Sequence, residues 1–326
     1  MSAPRPPRTS PLDGILVVAK PIGPTSHDVV SIVRRLSGTR RIGHGGTLDP
    51  FASGVLPLFL GRATRLVEYH LSDRKVYRAT VCFGAQSSTD DLEGDLAPAG
   101  GPPPGRDAVE AALDAFRGEI RQRPPAYSAV KVGGRRAYAM ARAGSAPELS
   151  EREVTIHRIS MLAWDATDPD RPVAVLEIEC SAGTYVRALA RDLGRQVGSA
   201  AYLGALSRIA SGTFTLAEAH DLDEVRSAAS EGPSGLQPLL RPLDHGLEWM
   251  PAVTLAKDEV EAAIRGQFVR PRAALDLSEA PIVRVYAEDG DLIAIGALER
   301  GRLAPAKVLR SLSEVRPATA MTADPP

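Results

Sequence analysis

Apolar residues in this chain come in short blocks whose period changes from one block to the next. Residues 14–20, GILVVAK, are apolar at nearly every position, as a strand covered on both faces requires. Behind Thr25 or Ser26, either able to cap a helix, Val29, Val30, Val33 and Leu36 recur at helical spacing. VLPLFL at 55–60 reads as a second buried strand and ATRLVEYHL at 63–71 as a helix. KVYRATVCFG then alternates, placing Tyr77, Ala79, Val81 and Phe83 on one face. LAPAGGPPPGRD is a loop and DAVEAALDAFRG a helix. VAVLEIECS, another strand, feeds TYVRALARDLGRQVG, in which Val186, Leu189, Ala190, Leu193 and Val197 make a helical stripe. Residues 200–214 read as strand and turn, DLDEVRSAAS as a short helix and SEGPSG as a break.

Near Pro251 the texture shifts. One helix, LAKDEVEAAIRGQF, precedes three strands, PIVRVYA, DLIAIGAL and RLAPAKVL, with a hairpin turn at Glu288-Asp289-Gly290. The alternation predicts an α+β domain over 13–250 and a small β-rich domain over 251–316. Residues 1–12 and 317–326, rich in Pro, Ala and small polar residues, are expected to be disordered tails.

The 326 residues, 44% hydrophobic, suit two folded domains. With only 5% aromatic content, aliphatic residues and Ala must fill most of the core. No apolar run nears the ~20 residues that span a bilayer, and the N-terminus lacks the apolar centre of a secretory signal, so a cytoplasmic protein is expected. Cys82 and Cys180 lie in strand-like runs and read as buried thiols of a reducing compartment; no Cys/His zinc cluster is visible. The net charge of −1 argues against a general nucleic-acid binder, but residues 20–78 hold ten basic and four acidic residues, a local +6. That segment is a candidate phosphate-binding face.

The chemistry centres on RIGHGGTLDPFASGVLPLFL, residues 41–60. It sets one carboxylate, Asp49, in a glycine-rich loop between two apolar segments, and Pro50 biases Asp49 away from helical geometry. Taken alone, an Asp-Pro pair is more often a turn or cap than a catalytic group.

The segment does not stand alone. GTLDPFASGVLPLFLGRATRL resembles the nucleophile motif of the bacterial tRNA pseudouridine synthase B (TruB) family. Four further segments are similar to that family in the same order: GILVVAKPIGPTSHDVV, KVYRATVCFGAQSSTDDLEG, QRPPAYSAVKVGGRRAYAMARAG and CSAGTYVRALARDLG. The likeness runs from about Gly14 to about Gly212. It implies a catalytic domain on a mixed β-sheet, followed by a PUA-like RNA-binding module. It also implies isomerisation of uridine 55 in the tRNA T loop. That reaction oxidises nothing and transfers no group in or out, so it needs no cofactor in principle.

The resemblance makes Asp49 the nucleophile, with attack at ribose C1′, attack at uracil C6 and a glycal route all open. It pairs Arg187 with Asp49, and a guanidinium beside a carboxylate holds its pKa below the usual range. Arg187 falls in the first turn of its helix, where the dipole disfavours a cation. Arg191, one turn on, reads as an ordinary surface residue. Tyr77 matches the family's active-site Tyr. Stacking on uracil is its first role and proton transfer its second, because a phenolate at neutral pH costs roughly 4 kcal/mol. His44 matches the motif His and could fill the stack that an everted base leaves. Lys20 with Pro21 shapes the wall under the Asp loop or contacts phosphate. Leu206 matches an apolar residue against the base, but Ser207 stands where the family often has Arg. Lys131, Arg135 and Arg136 belong to a basic arm suited to RNA backbone. The implied partner is the T arm of tRNA, bound by a monomer with no obligatory protein partner and no membrane. A guide-RNA-directed relative and a non-catalytic tRNA-binding protein are the competing readings. A glycosidase would show a second working carboxylate, and none can be named beside Asp49.

Overall fold

The computed structural model describes residues 12–128, 130–142, 145, 149–272, 282–299 and 301–311. The expected tails therefore lie almost wholly outside the described residues. The chain builds a ten-stranded mixed sheet and a separate four-stranded sheet, an α+β architecture. The principal strands of the large sheet are β1 (Gly14–Lys20), β2 (Ser53–Leu60), β3 (Lys75–Phe83), β4 (Gly118–Gln122), β5 (Arg152–Asp165), β6 (Val173–Cys180), β7 (Ala201–Ser211) and β8 (Leu240–Arg241). Their spatial order is β8-β1-β2-β7-β3-β6-β5-β4. Only β2 and β7 run parallel, through Ser53 opposite Ser207 and Gly54 opposite Arg208; the other neighbours in that order are antiparallel.

The helices cover this sheet from both faces. Helix α1 (Ser26–Ser37) starts at Thr25, whose hydroxyl accepts from the Asp28 N–H while the Asp28 carboxylate accepts from the Thr25 N–H, a reciprocal cap. Its buried Val29, Val30 and Val33 pack with Leu16, Leu56 and Leu58 on one face. Helix α2 (Arg106–Ala112) and helix α3 (Val186–Gln196) lie on the other. There Val186, Leu189, Ala190 and Leu193 meet Ala79, Val81, Phe83, Leu176 and Ile178. Helix α4 (Leu222–Ala229) returns to the α1 side.

Several elements escaped the pattern. The 14-residue β5 alternates at Val154 and Ile156 but then runs apolar from Met161 to Trp164, and two register shifts break its pattern. The expected helix at 63–71 is a 3-10 turn (Gly61–Arg65) followed by one helical turn (Glu68–Leu71). The basic arm is not structureless: Lys131–Val132 and Arg135–Arg136 form a hairpin across Gly133 and Gly134, and a short helix follows (Ala137–Arg142). Only the backbone of Lys131, Arg135 and Arg136 is described.

The second sheet holds β9 (Ala252–Leu255), β10 (Ile282–Ala287), β11 (Leu292–Glu299) and β12 (Arg302–Val308), in that order, with helix α5 (Lys257–Ile264) packed against it. The sequence pattern gives three of these strands and misses β9, a four-residue piece parallel to β10. The two sheets are joined by a small apolar cluster in which Leu66, Leu247 and Met250 meet Leu292, Ile295 and Leu309. Polar links flank it. Lys307 pairs with Glu68 at 2.7 Å, and Asp244 accepts from both Tyr286 and Arg284.

Candidate active site

The Asp49 loop is the turn between the short strand Ile42–His44 and β2, and it is pinned from every side. Leu48 and Phe51 are buried in the core beneath it. Ser26, at the start of α1, accepts from the Leu48 N–H at 2.9 Å and donates to the Leu48 carbonyl at 3.1 Å. The Gly23 N–H donates to the Pro50 carbonyl at 2.9 Å. Lys20, at the end of β1, is 1% exposed. Its ammonium donates to the carbonyls of Pro21 (2.8 Å), Ala52 (2.7 Å) and Pro50 (3.4 Å). Lys20 therefore lies under the loop and faces its carbonyls, away from solvent. Burial lowers its pKa to about 8, against the pull of Asp49.

Arg208, in β7, is the second pin and was not singled out by the sequence. It is 1% exposed, and it donates through Nε to Val55 O (2.8 Å) and through Nη2 to Gly46 O (3.1 Å). Its strand crosses the loop closely enough to dictate a residue type. Gly54 has φ +109°, and a Cβ there would lie 2.2 Å from the Arg208 carbonyl oxygen. Only glycine fits.

Above this base lies a cleft of about 280 Å³, lined among others by Asp49, Tyr77, Arg187, Leu206, Arg208 and Lys75. That is near the lower end of the roughly 300–1,000 Å³ of ligand pockets. Arg187 Nη2 stands 3.1 Å from Asp49 Oδ2. The same guanidinium donates to Tyr127 O (2.8 Å) and Asp91 Oδ2 (3.0 Å), and its side chain is almost fully buried. Asp91 is held in turn by the Thr89 hydroxyl and the Glu93 N–H. Arg187 is thus fixed by a buried partner before it meets Asp49.

The pair behaves differently from the expectation for a carboxylate beside an arginine. The Asp49 pKa is raised, not lowered. Desolvation in the walled cleft outweighs Arg187 and Lys20, and the charge of Asp91 adds to it. The Asp49 side chain is still 38% exposed, so a ligand can reach it.

Arg191 also departs from its reading as a surface residue. Only 16% exposed, it bonds Asp90 (2.8 Å), Asp192 (2.9 Å) and the Arg123 carbonyl (2.9 Å). Adjacent Asp90 and Asp91 receive two arginines one helical turn apart. The doublet in TDDLEG matched to Arg187 and Arg191 was the available signal; the pairing itself lies across the fold.

Tyr77 lines the cleft beside Arg208. Burial pushes its phenol up despite that cation, which disfavours a phenolate. Leu206 and Arg208 sit opposite Ala79 and Tyr77 on the neighbouring strand, so Leu206 reaches the same cleft. Ser207, between them, is not among its lining residues. His44 stands just outside the lining; its Nδ1 accepts from the Gly46 N–H at 3.3 Å, and burial lowers its pKa. Lys75, also lining, was counted in the cationic face, yet Lys20 and Lys75 are both buried. Arg35, Arg40, Arg41 and Arg65 remain exposed. Cys180 is buried, its thiol pushed up to about 11, while Cys82 is half-buried. Among the described residues no cluster of His, Cys, Asp and Glu has a metal-binding arrangement.

Known proteins share this chain over nearly its whole length. A family model for the TruB family pseudouridylate synthase N-terminal domain matches residues 34–186. Models for the tRNA pseudouridylate synthase B C-terminal domain and for the C-terminal region of pseudouridine synthase II TruB match 187–248 and 251–309. The chain is 41% identical to the tRNA pseudouridine synthase B of Bradyrhizobium diazoefficiens over 300 residues, 90% of this chain and 85% of the relative. With the Synechococcus elongatus protein of the same name the identity is 44% over 302 residues, 92% of this chain and 99% of the relative. Among solved structures, a Cbf5-Nop10-Gar1 complex aligns with TM-score 0.68 and 25% identity, over 93% of this chain and 86% of that one.

Proposed function

Because this chain belongs to the TruB family of pseudouridylate synthases, we propose that it converts uridine 55 in the T loop of tRNA to pseudouridine, with Asp49 as nucleophile. The single observation that supports this most is the Asp49–Arg187 contact of 3.1 Å at the wall of a cleft of about 280 Å³, small enough to select one everted nucleoside. In the reaction the C1′–N1 bond breaks and a C1′–C5 bond forms. The C5 proton leaves, and N1 gains one. Asp49 supplies the negative charge for cleavage, and Arg187 steadies it. Tyr77 stacks on the uracil, Leu206 closes the apolar side of the pocket, and His44 occupies the gap left in the T loop. Lys20 acts from beneath by fixing the carbonyls of the Asp49 loop, which makes it a positioning residue. The hairpin of Lys131, Arg135 and Arg136 and the C-terminal sheet offer further RNA-contacting surfaces. We read the protein as a monomer that acts on tRNA in the cytoplasm without an obligatory protein partner.

The test is to incubate purified protein with T-arm RNA and map pseudouridine. Product at the position equivalent to uridine 55, abolished in Asp49→Asn, is expected. The loss should be at least about 10³-fold in single-turnover rate, with RNA affinity within about twofold. Since the Asp49 pKa is raised, the acid limb of the wild-type rate should lie above the ordinary aspartate range. Below that pKa the carboxyl is protonated and no longer a nucleophile. Unchanged product formation by Asp49→Asn would refute the assignment.

A further inference from the structure

One lining group has no hydrogen-bond partner among the described residues. Ser128 is 3% exposed, and among the described residues its hydroxyl makes no hydrogen bond. It nevertheless lines the Asp49 cleft. A buried hydroxyl without a partner is costly, and such groups call for a ligand or water. The neighbouring lining hydroxyl is engaged within the fold: Thr184 donates to the Ser181 carbonyl at 2.9 Å. Ser181 accepts from the Thr155 N–H at 2.9 Å. Thr47 also lines the cleft but is exposed, so water can satisfy its hydroxyl; Ser128 is the buried lining serine or threonine whose hydroxyl is unpartnered among the described residues.

Its place along the chain says which part of a nucleoside it faces. The preceding residue, Tyr127, accepts through its carbonyl from Arg187 Nη2 at 2.8 Å, and that same nitrogen is 3.1 Å from Asp49. Ser128 therefore stands on the carboxylate side of the cleft, where the sugar must lie for its glycosidic bond to break. The uracil carbonyls only accept, and Arg208 and Lys75 in the lining are donors. A ribose hydroxyl needs an acceptor as well as a donor, which suits a serine hydroxyl and neither cation.

Resting on the reading of the site as a uridine isomerase, we propose that Ser128 is a specificity-determining residue. Its hydroxyl hydrogen-bonds the ribose 2′-hydroxyl of the everted nucleotide, so that the protein distinguishes RNA from DNA at the target position. The arm root that carries Ser128 is clamped to the start of α3. The Gln122 side-chain amide donates to Tyr185 O (3.2 Å) and accepts from Tyr185 N–H (3.0 Å). Closer by, the Ser128 carbonyl accepts from the Tyr138 N–H at 3.0 Å, which fixes the backbone that carries the hydroxyl.

The experiment is a cycle of two enzymes and two RNAs. Wild type and Ser128→Ala are each given T-arm RNA bearing uridine or 2′-deoxyuridine at the target position, and single-turnover rate and affinity are measured. Ser128→Ala should lose about fivefold on the ribose substrate, the order of one neutral hydrogen bond. On the deoxy substrate the two enzymes should agree within about twofold, whatever the deoxy change costs the chemistry. Ser128→Cys, which keeps a weak donor and the shape, should fall between them on the ribose substrate. Thermal unfolding is the control, because Ser128→Ala removes an unpaired buried group and should not lower Tm. Equal losses on both substrates, or no loss on ribose, would overturn the proposal. A wild-type enzyme that forms no pseudouridine in the ribose RNA would instead overturn the functional reading beneath it.

Discussion

Lys20 carries three ammonium protons and faces two carbonyls of the Asp49 loop, Pro50 and Ala52, and that of Pro21, so its charge state governs how tightly the loop is held. Its pKa is lowered to about 8 from 10.5 by burial. Above about pH 8 the folded protein loses that proton, and one of the three donors with it. The rate of pseudouridine formation should therefore fall several-fold between pH 8 and 9.5 in wild type. A Lys20→Met variant, slower overall, should lack this break. The linkage has the opposite sign for stability. Between about 8 and 10.5 the unfolded chain holds the extra proton, so wild type should gain stability relative to Lys20→Met as pH rises through that window. Denaturant midpoints across the window would check this, and a constant difference would remove the assigned pKa. Sequence resemblance placed Lys20 near the site, but it could not choose between a phosphate contact and a buried clamp, because solvent access is not written in a local pattern.

At the scale of elements, the active site depends on the parallel pairing of β2 with β7 in the large sheet. Strand β7 reaches β2 through only two residue pairs, Ser53 with Ser207 and Gly54 with Arg208. The crossing brings Arg208 and Leu206 to the loop that β2 leaves behind. Gly54→Ala would put a methyl into the Arg208 backbone at a φ that L residues avoid. Strain and overpacking together should cost about 3 kcal/mol or more, seen as a lower Tm, and activity should fall further than stability explains. A neutral Gly54→Ala would mean that β2 and β7 are not in this register. The strands themselves were legible from period, as with Ala79, Val81 and Phe83 on β3. β9 and β5 were not: β9 is only four residues long, and in β5 two register shifts and the apolar run Met161–Trp164 break the alternation that marks a half-buried strand.

For the whole molecule, charge falls into two populations that the sequence merged. Of the basic residues between 20 and 78, Lys20 and Lys75 are interior and Arg62 is paired with Asp13 at 2.7 Å. Arg35, Arg40, Arg41 and Arg65 stay at the surface. Only surface cations can release counterions on binding RNA. Arg40→Ala and Arg41→Ala should each flatten the dependence of log K on log salt by about 0.7–0.9. Lys20→Met should leave that slope unchanged. Binding titrations at several salt concentrations would separate the two, and a change of slope in Lys20→Met would refute its interior placement. The smaller sheet is held beside this surface by the Leu66–Met250–Ile295 cluster and by Asp244 with Tyr286, whose phenol is pushed up to about 12 by burial and that carboxylate.

By itself the sequence determined the helices and strands with clear period, the glycine-rich loop around Asp49, and a family likeness strong enough to nominate Asp49, Tyr77, Arg187 and Leu206. These are local properties: spacing along one strand or helix, and residue types within one motif. Tertiary structure alone decided that Asp91 stands behind Arg187, that Arg208 and Lys20 support the loop, and that Ser128 lines the cleft with its hydroxyl unpartnered among the described residues. It also reversed the sign of the Asp49 pKa shift. Desolvation is a sum over every wall that excludes water, and those walls come from the Asp49 loop, β3, β7, α3 with the turn before it, and the root of the arm, which meet only in the folded chain.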